Sequence, residues 1–458
     1  MRFIIALWLA RAVQLLLKIL GKKATYFAGK VAITLCPDFL GRIGKPDKII
    51  GVTGTNGKTT VNNLLTDALE RLGVSVISNR YGSNINAGIA TALISGSTLT
   101  GKPKKELAVL ELDERSARLI YPYIKPDYLI ITNLFRDSMR RNAHPEYISG
   151  LLTKHIPKDT KLIINADDLL AVSTAPENDR VYFGIEKLDG EPPERNSIVC
   201  DIQICPKCDA MLVYDFRRYN HIGRAHCPDC DFASPRPGYM VSRIDFENKK
   251  AKITEGENLY DYKLSSTLIY NVYNIIAVIA TLRQLGYEHE VIARTLEDVH
   301  IVQSRFRQDV IKGKTLSAIM AKGLNAVACS RSFDYVGTEP GKKAVILMLD
   351  DVFDEKHSSE NIAWLYDADF EFLNTPDIVQ IITVGKRSPD SLLRLLIAGV
   401  EKEKITAVSS EAEAVDAVDL QSCDKIYILY ELYRYDRAVM TRDRISRRIE
   451  AETEEAGQ

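Results

Sequence analysis

No charge of either sign dominates the chain. Its 458 residues hold 60 Lys+Arg against 61 Asp+Glu, a formal net charge of −1 at pH 7. Proteins devoted to nucleic acid usually carry a basic excess, so a nucleic-acid partner is set aside. Cysteine is scarce as well. Eight residues are too few to staple a chain of this length, and their spacing matters more than their number. In the apolar opening segment 3–20, the longest uncharged run, Phe3 to Ala10, falls far short of the roughly 20 residues a spanning helix needs. Lys18, Lys22 and Lys23 follow where a signal peptide would carry a small-residue cleavage site. Ile4, Leu7, Leu15 and Ile19 share one helical face of that segment, with charges at its flanks. Two readings of this helix stand: docking on its own protein, or peripheral contact with an anionic membrane.

What is present is ordinary in bulk and specific in detail. Hydrophobic residues make up 46% and charged residues 26%, usual for folded globular domains. At roughly 150 residues per domain, the length suggests about three domains. Residues 48–60 read KIIGVTGTNGKTT. A short β-prone run leads into the turn Gly54-Thr55-Asn56-Gly57, then Lys58-Thr59-Thr60 and a helical pattern. That order suits a phosphate-cradling loop: glycines let backbone N–H groups face phosphates and the helix start favours negative charge. Lys58 reaches the terminal phosphates and Thr59 can ligate magnesium. The general motif would place its first glycine at position 52, which is Val.

The strand pattern Leu107–Leu112 ends among Glu111, Asp113 and Glu114. A carboxylate at such a strand end is the usual magnesium partner, and Glu111 is the first choice; a merely solvated acidic strand end is the other reading. Tyr128–Thr132 leads to Asn133, and Lys161–Ile164 leads to Asn165, Asp167 and Asp168. Repeated strand–helix alternation with polar residues at strand ends predicts a doubly wound α/β sheet with its ligand at those ends.

Cys205-Pro-Lys-Cys208 and Cys227-Pro-Asp-Cys230 are separated by residues 209–226. Paired C-x-x-C turns at this spacing predict a closed, structural zinc ribbon with four cysteine ligands, His221 and His226 not being needed. Redox use and a nucleic-acid ribbon, suggested by Tyr214, Arg217, Arg218, Tyr219 and Arg224, are minor readings. Cys36, Cys200, Cys329 and Cys423 lack paired spacing and read as ordinary thiols. After about residue 300 a new α/β unit begins, with candidate strands Ala344–Leu349, Val379–Val384, Ile405–Val408 and Ile426–Leu429. The charged tail from Arg442 reads as a frayed, exposed helix.

The string Thr53-Gly54-Thr55-Asn56-Gly57-Lys58-Thr59-Thr60 resembles the nucleotide loop of the Mur ligase superfamily. Tyr270-Asn271-Val272-Tyr273-Asn274-Ile275-Ile276-Ala277 is similar to that family's His-Asn-x-x-Asn-x-x-Ala segment, with Tyr in place of His. Within the superfamily, the MurT family is the nearest likeness. It is carried by Gly29-Lys30-Val31, by Asn133 to Asp137 (NLFRD), by the four-cysteine insert and by Trp364 to Glu371 (WLYDADFE).

The resemblance implies a Mur ligase-like central ATPase domain (47–300) after an N-terminal helical segment (1–46). A four-cysteine zinc-ribbon insertion (198–240) would interrupt it, and a C-terminal Rossmann-like α/β ligase domain (301–458) would follow. It implies ATP, Mg2+ and a structural Zn2+ held by Cys205, Cys208, Cys227 and Cys230. ATP would be bound by Gly54, Thr55, Asn56, Gly57, Lys58, Thr59, Thr60, Asn133, Asn271, Asn274 and Arg305, with Asn271 at the adenine. Magnesium would be held by Thr59 and Glu111, and Lys58 and Glu111 would be catalytic.

The implied reaction is amidation of the α-carboxylate of D-glutamate in the lipid II stem, through an acyl phosphate, with ammonia from a GatD-type glutaminase. Such an enzyme works in the cytoplasm, at the inner face of the membrane if it meets lipid II there. The alternative is an amino-acid ligase like folylpolyglutamate synthase, without a glutaminase. Three departures bear on this. The family's Gly-Arg-apolar-Glu turn reads Ser304-Arg305-Phe306-Arg307, and its Lys-Asn-Pro-Ala-Gly segment reads Ala321-Lys322-Gly323-Leu324-Asn325. An Asp that would assist the glutaminase triad falls at Asn361, with Glu360, Asp354 and Asp367 as substitutes nearby. Asn can orient a histidine but cannot stabilise an imidazolium with charge. Asp350 and Asp351, at the end of a strand, rank lower.

Overall fold

The structure is a computed structural model that describes all residues except 23–24, 81, 137–143, 192, 194–196, 300–305, 322–324, 350–361 and 457–458. Arg305, Lys322, Asp350, Asp351, Asp354, Glu360 and Asn361 therefore lie outside the described residues. The chain forms two compact units. One comprises Met1–Arg136, His144–Arg195 and Asp201–Val302; the other includes Asn196–Cys200 and Gln303–Gln458.

The first unit is built on a nine-stranded sheet. Its strands are β1 (Lys48–Thr53), β2 (Val76–Ser78), β3 (Leu107–Glu111), β4 (Tyr128–Ile131), β5 (Lys161–Asn165), β6 (Arg180–Ile185), β9 (Tyr239–Asp245), β10 (Lys250–Glu255) and β11 (Asn258–Lys263). The order is β11-β10-β9-β6-β5-β4-β1-β3-β2. Strands β1 to β6 pair in parallel, as buried Val, Ile and Leu runs with helical connections require. The edge differs from the simple alternation expected: β9, β10 and β11 extend the sheet as an antiparallel meander. Between β6 and β9 the chain leaves the sheet to make the two-stranded hairpin β7 (Val213–Tyr219) and β8 (Ile222–His226), with one C-x-x-C turn before β7 and the other after β8, at the open end of the hairpin.

Helix Lys58–Arg71 leaves the carboxyl end of β1 and buries Val61, Leu64, Leu65, Ala68 and Leu69. Helix Ile269–Gln284 is buried at every position from Asn271 to Leu282, which suits its nearly continuous apolar sequence. Helices α1 (Arg2–Ile19) and α2 (Phe27–Leu35) dock beside helix Asn86–Ser95. The face expected to dock is split. Leu7 is buried with Ala6 and Ala10, whereas Leu15 and Ile19 are exposed. The reason is polar: Arg11 turns inward to donate to the carbonyls of Ile94, Ser97 and Thr98, and Gln14 donates to the Thr91 carbonyl and Ser95. Among the described residues, no helix is long and apolar enough to cross a membrane.

The second unit carries a six-stranded sheet in the order β12-β13-β17-β14-β15-β16. Its strands are β12 (Phe306–Ile311), β13 (Lys314–Met320), β14 (Lys343–Met348), β15 (Ile378–Val384), β16 (Ile405–Val408) and β17 (Lys425–Tyr430). All but β12 run parallel. One apolar layer gathers Phe333, Trp364, Phe370 and Leu395; the other gathers Ala414, Val415, Ile445 and Ile449. The charged tail is thus no frayed helix. Helix Tyr435–Ala456 buries Ile445 and Ile449, and Arg448 donates to the carbonyls of Val415 and Val418.

Candidate nucleotide and metal sites

The glycine turn sits between β1 and its helix, at the carboxyl end of the parallel strands. Gly54 and Gly57 have φ of 126° and 87°, a region that favours glycine. A Cβ at Gly57 would collide with Asn274 Oδ1, and one at Gly54 with Thr132 Oγ1. Both glycines are therefore required by space as well as by backbone.

The turn is braced from β4. Asn133 Oδ1 accepts from the Asn56 N–H at 2.9 Å, and Asn133 Nδ2 donates to the Asn56 carbonyl at 3.0 Å. Thr132 Oγ1 donates to the same carbonyl at 2.7 Å, and the Thr55 N–H donates to the Asn133 carbonyl. Asn133, expected at the nucleotide, is here the clamp of the loop that would hold it. Asn274 lies against Gly57, and Asn271 follows one turn earlier on the same helix, with its Nδ2 donating to Ser266 at 3.0 Å. The structure thus brings the Tyr270–Ala277 segment to the loop. Thr59 and Thr60 occupy the first turn of helix Lys58–Arg71.

Lys58 opens that helix and folds back. Its Nζ donates to the Gly54 carbonyl and lies 3.0 Å from Glu114 Oε2. Burial alone would depress the ammonium, but Glu114 and Glu111 outweigh it and hold its pKa above the usual value. Glu114 responds in the opposite sense to a simple ion pair: burial raises its carboxyl, with Asp113 adding to the rise and Lys58 pulling it down.

Glu111 stands where the register β1–β3 sets it, opposite Val52. Its Oε1 accepts from Asn84 Nδ2 at 3.0 Å, and its backbone exchanges two hydrogen bonds with the Asn79 carboxamide. The first-choice carboxylate is therefore fixed near the loop, but Glu114 is the one in contact with Lys58. Asp113 is occupied otherwise, capping the short turn Glu114–Ser116 through the Ser116 N–H. On sequence alone Glu114 ranks behind Glu111 in the acidic strand end, and Asn79 and Asn84 carry no signal. The signal for Glu114 is the acidic cluster itself, since a turn after the strand redirects the third carboxylate toward the loop.

The four sulfurs of Cys205, Cys208, Cys227 and Cys230 lie within 4.8 Å of one another. Two of the separations are 3.5 Å (Cys205–Cys230) and 3.3 Å (Cys208–Cys227). A tetrahedron with Zn–S of about 2.3 Å has edges of about 3.8 Å, so the cluster has the dimensions of a four-thiolate metal site. The N–H groups of Lys207 and Asp229 donate to Cys205 and Cys227, as a thiolate in a tight turn invites. His221 and His226 are elsewhere: His221 Nε2 lies 3.2 Å from Asp168 and His226 Nδ1 3.1 Å from Asp215.

The polar residues after β5 have a structural task. Asp167 accepts from the Ile185 N–H (3.0 Å) and Tyr273 Oη (2.6 Å), with Arg224 and Arg218 at 3.3 and 3.4 Å. Asp168 caps helix Leu169–Val172 and accepts from the Leu134 N–H at 2.6 Å. Arg218, read as part of a basic ribbon face, is only 3% exposed and also binds Glu191.

In the second unit, Asp367 ends the short helix Trp364–Asp367. Its neighbour Asp369 is buried and accepts from the Ile198 N–H at 2.6 Å. Burial raises the Asp369 carboxyl, which that N–H and Arg331 partly offset.

Two families match the chain: the Mur ligase middle domain over residues 52–197 and the MurT ligase C-terminal domain over residues 323–433. The MurT subunit of glutamine-hydrolysing lipid II isoglutaminyl synthase from Staphylococcus aureus (strain COL) is 30% identical over 399 residues, covering 86% of this chain and 88% of that protein. Its counterpart from Streptococcus pneumoniae (strain R6) is 28% identical, covering 92% of each. Among solved structures, a pseudomurein peptide ligase type C from Methanothermus fervidus superposes with a TM-score of 0.66 at 21% identity, over 90% of this chain and 80% of that one. That likeness concerns the fold.

Proposed function

The chain belongs to the MurT family of Mur ligases, and on that premise we propose that it is the ATP-using subunit of a lipid II isoglutaminyl synthase. It amidates the α-carboxylate of D-glutamate in the lipid II stem to D-isoglutamine, through an acyl phosphate, with ammonia from a GatD-type glutaminase. The observation that carries the reading is the Lys58–Glu114 contact in a braced glycine loop, within a chain matched by both families. ATP with Mg2+ supplies the phosphoryl group that activates the carboxylate. Lys58 supports charge that builds on the transferred group, having exchanged Glu114 for phosphate. Thr59 and Glu111 hold the magnesium ion. Gly54, Thr55, Asn56, Gly57 and Thr60 line the phosphates, Asn133 keeps their backbone in place, and Asn271 and Asn274 orient the nucleoside side. The same family likeness assigns Arg305 to the nucleotide.

Four cysteine sulfurs within 4.8 Å of one another support a zinc ion, held as a closed structural ion in the ribbon 198–240. That ribbon interrupts a central domain over 47–300, after a helical segment 1–46 and before a ligase domain over 301–458. Asn361 marks the position that assists the glutaminase. The enzyme works in the cytoplasm, at the membrane face where its lipid substrate is found.

Co-expression with a GatD-type glutaminase tests this reading. A stable complex that converts lipid II to its amidated form with ATP and glutamine is the expected result. Turnover with free ammonia but not with glutamine removes the partner from the proposal, and consumption of a free amino acid in place of ammonia replaces it with a ligase reading.

A further inference from the structure

Helix α1 is amphipathic the wrong way round for a surface helix. Its polar side chains Arg11 and Gln14 face the protein, while Ile5, Trp8, Leu9, Leu15, Leu16 and Ile19 are between 47% and 73% exposed. Along 18 residues, the charged residues in its exposed set are Arg2 and Lys18, near its two ends. A helix beside water normally presents its polar face outward, and an apolar surface of this extent marks an interaction site. Nor is the face loosely attached. Trp8 Nε1 donates to the Leu99 carbonyl at 2.9 Å, and Phe3 packs against Phe39 at 5.2 Å between rings. The exposed Leu99 continues the patch on one side.

Charge selects the occupant. The first acidic residue of the chain is Asp38; before it come Arg2, Arg11, Lys18, Lys22, Lys23 and Lys30 and no Asp or Glu. Arg2 and Lys18 on α1, Lys22 just after it and Lys30 on α2 are all exposed, and Lys30 sits 5.9 Å from the Tyr26 ring, beside exposed Phe27. An apolar strip on a helix pair, α1 and α2, that carries cations and no Asp or Glu matches a bilayer surface with anionic headgroups, apolar where acyl chains begin and negative at its rim. A protein partner of ordinary mixed charge would leave these cations unmatched.

We propose that α1 lies in the headgroup boundary of an anionic bilayer, its apolar face inserted and Lys18, Lys22 and Lys30 on lipid phosphates. Its length of about 27 Å lies in the membrane plane and does not cross it. The lipid-linked substrate proposed above makes this placement useful, but the inference stands on α1 itself.

Vesicle flotation of the full chain tests it, using phosphatidylcholine vesicles with and without phosphatidylglycerol and neither nucleotide nor lipid II. Failure here thus leaves the amidation reading untouched. The wild-type chain floats with the anionic vesicles and about tenfold less with neutral ones. Leu9→Glu/Leu16→Glu weakens flotation by about tenfold or more, with circular dichroism and melting unchanged. Lys18→Gln/Lys22→Gln keeps the apolar face and loses only the preference for anionic lipid, so the test survives if the first variant fails to fold. Brominated lipid quenches Trp8 but spares buried Trp364. Equal flotation of wild type and Leu9→Glu/Leu16→Glu overturns the proposal. So does a wild-type chain that ignores vesicles yet forms a dimer that this variant breaks, which would make a second copy the occupant.

Discussion

Two buried charge clusters stand at carboxyl ends of the same parallel sheet, and they are built on opposite rules. Asp167, after β5, is met from every side: a backbone N–H, the Tyr273 hydroxyl and two arginines converge on one carboxylate. Lys58, after β1, meets one carboxylate, Glu114, and otherwise leans on the carbonyls of its own loop. Saturation from fixed partners leaves Asp167 nothing to exchange. The Lys58 pair can exchange, because a phosphate offers the ammonium a better partner than a carboxyl whose own pKa is raised by burial. A low exposure can therefore accompany a structural charge or a working one, and what separates them is whether a partner can be replaced.

The comparison breaks most visibly in turnover. Lys58→Ala should lower kcat by about a thousandfold or more while the thermal midpoint stays near wild type, read by amidation and differential scanning fluorimetry on one preparation. If that variant turns over normally, Lys58 is no working charge. Asp167→Ala should do the reverse. It removes the acceptor shared by buried Arg218, buried Tyr273 and part-exposed Arg224, costing about 3–5 kcal/mol in denaturant unfolding. A variant as stable as wild type would show that the cluster is not a structural one.

Glu114→Gln sharpens the contrast at smaller scale. It should tighten nucleotide binding severalfold, because the competing charge is gone, whereas Glu111→Gln should weaken the dependence on magnesium. Isothermal titration with and without Mg2+ separates the two carboxylates.

The smallest effect belongs to an intermediate cluster. His289 stacks on Tyr260 at 3.6 Å between ring centroids and places Nε2 2.7 Å from Glu255. Burial lowers its pKa below the usual value despite that carboxylate. A depressed histidine must take up its proton in the unfolded chain first, so stability falls as pH drops through the normal histidine range near 6.5. His289→Gln should flatten the fall of melting temperature between neutral and mildly acidic pH; an unchanged slope would assign that titration elsewhere.

Much of this was legible because the signals are local. A β-prone run, the two turn glycines Gly54 and Gly57 and a lysine lie within Ile49 to Lys58, and each C-x-x-C pair closes a single turn. Helix Ile269–Gln284 announces its burial through the apolar run from Ile275 to Ala280. What escaped depends on long-range meeting points. Glu114 faces Lys58 across 56 positions of sequence, and only the short turn after β3 decides that it, rather than Glu111, makes contact. Asn133 clamps Asn56 across 77 positions, which no spacing rule encodes. Arg218 misled for a related reason: a charge in a basic stretch reads as surface until the fold supplies Asp167, Tyr273 and Glu191 around it. Helix α1 misled through its period, since the docked face was chosen by where Arg11 and Gln14 find carbonyls.

The Asn133 clamp settles a question of sequence in time. Because one carboxamide holds the Asn56 amide and carbonyl together, the loop is assembled when the protein folds and not when nucleotide arrives. The ordering entropy of those residues is spent once per protein lifetime instead of once per catalytic cycle, leaving each arriving nucleotide to meet a finished cradle.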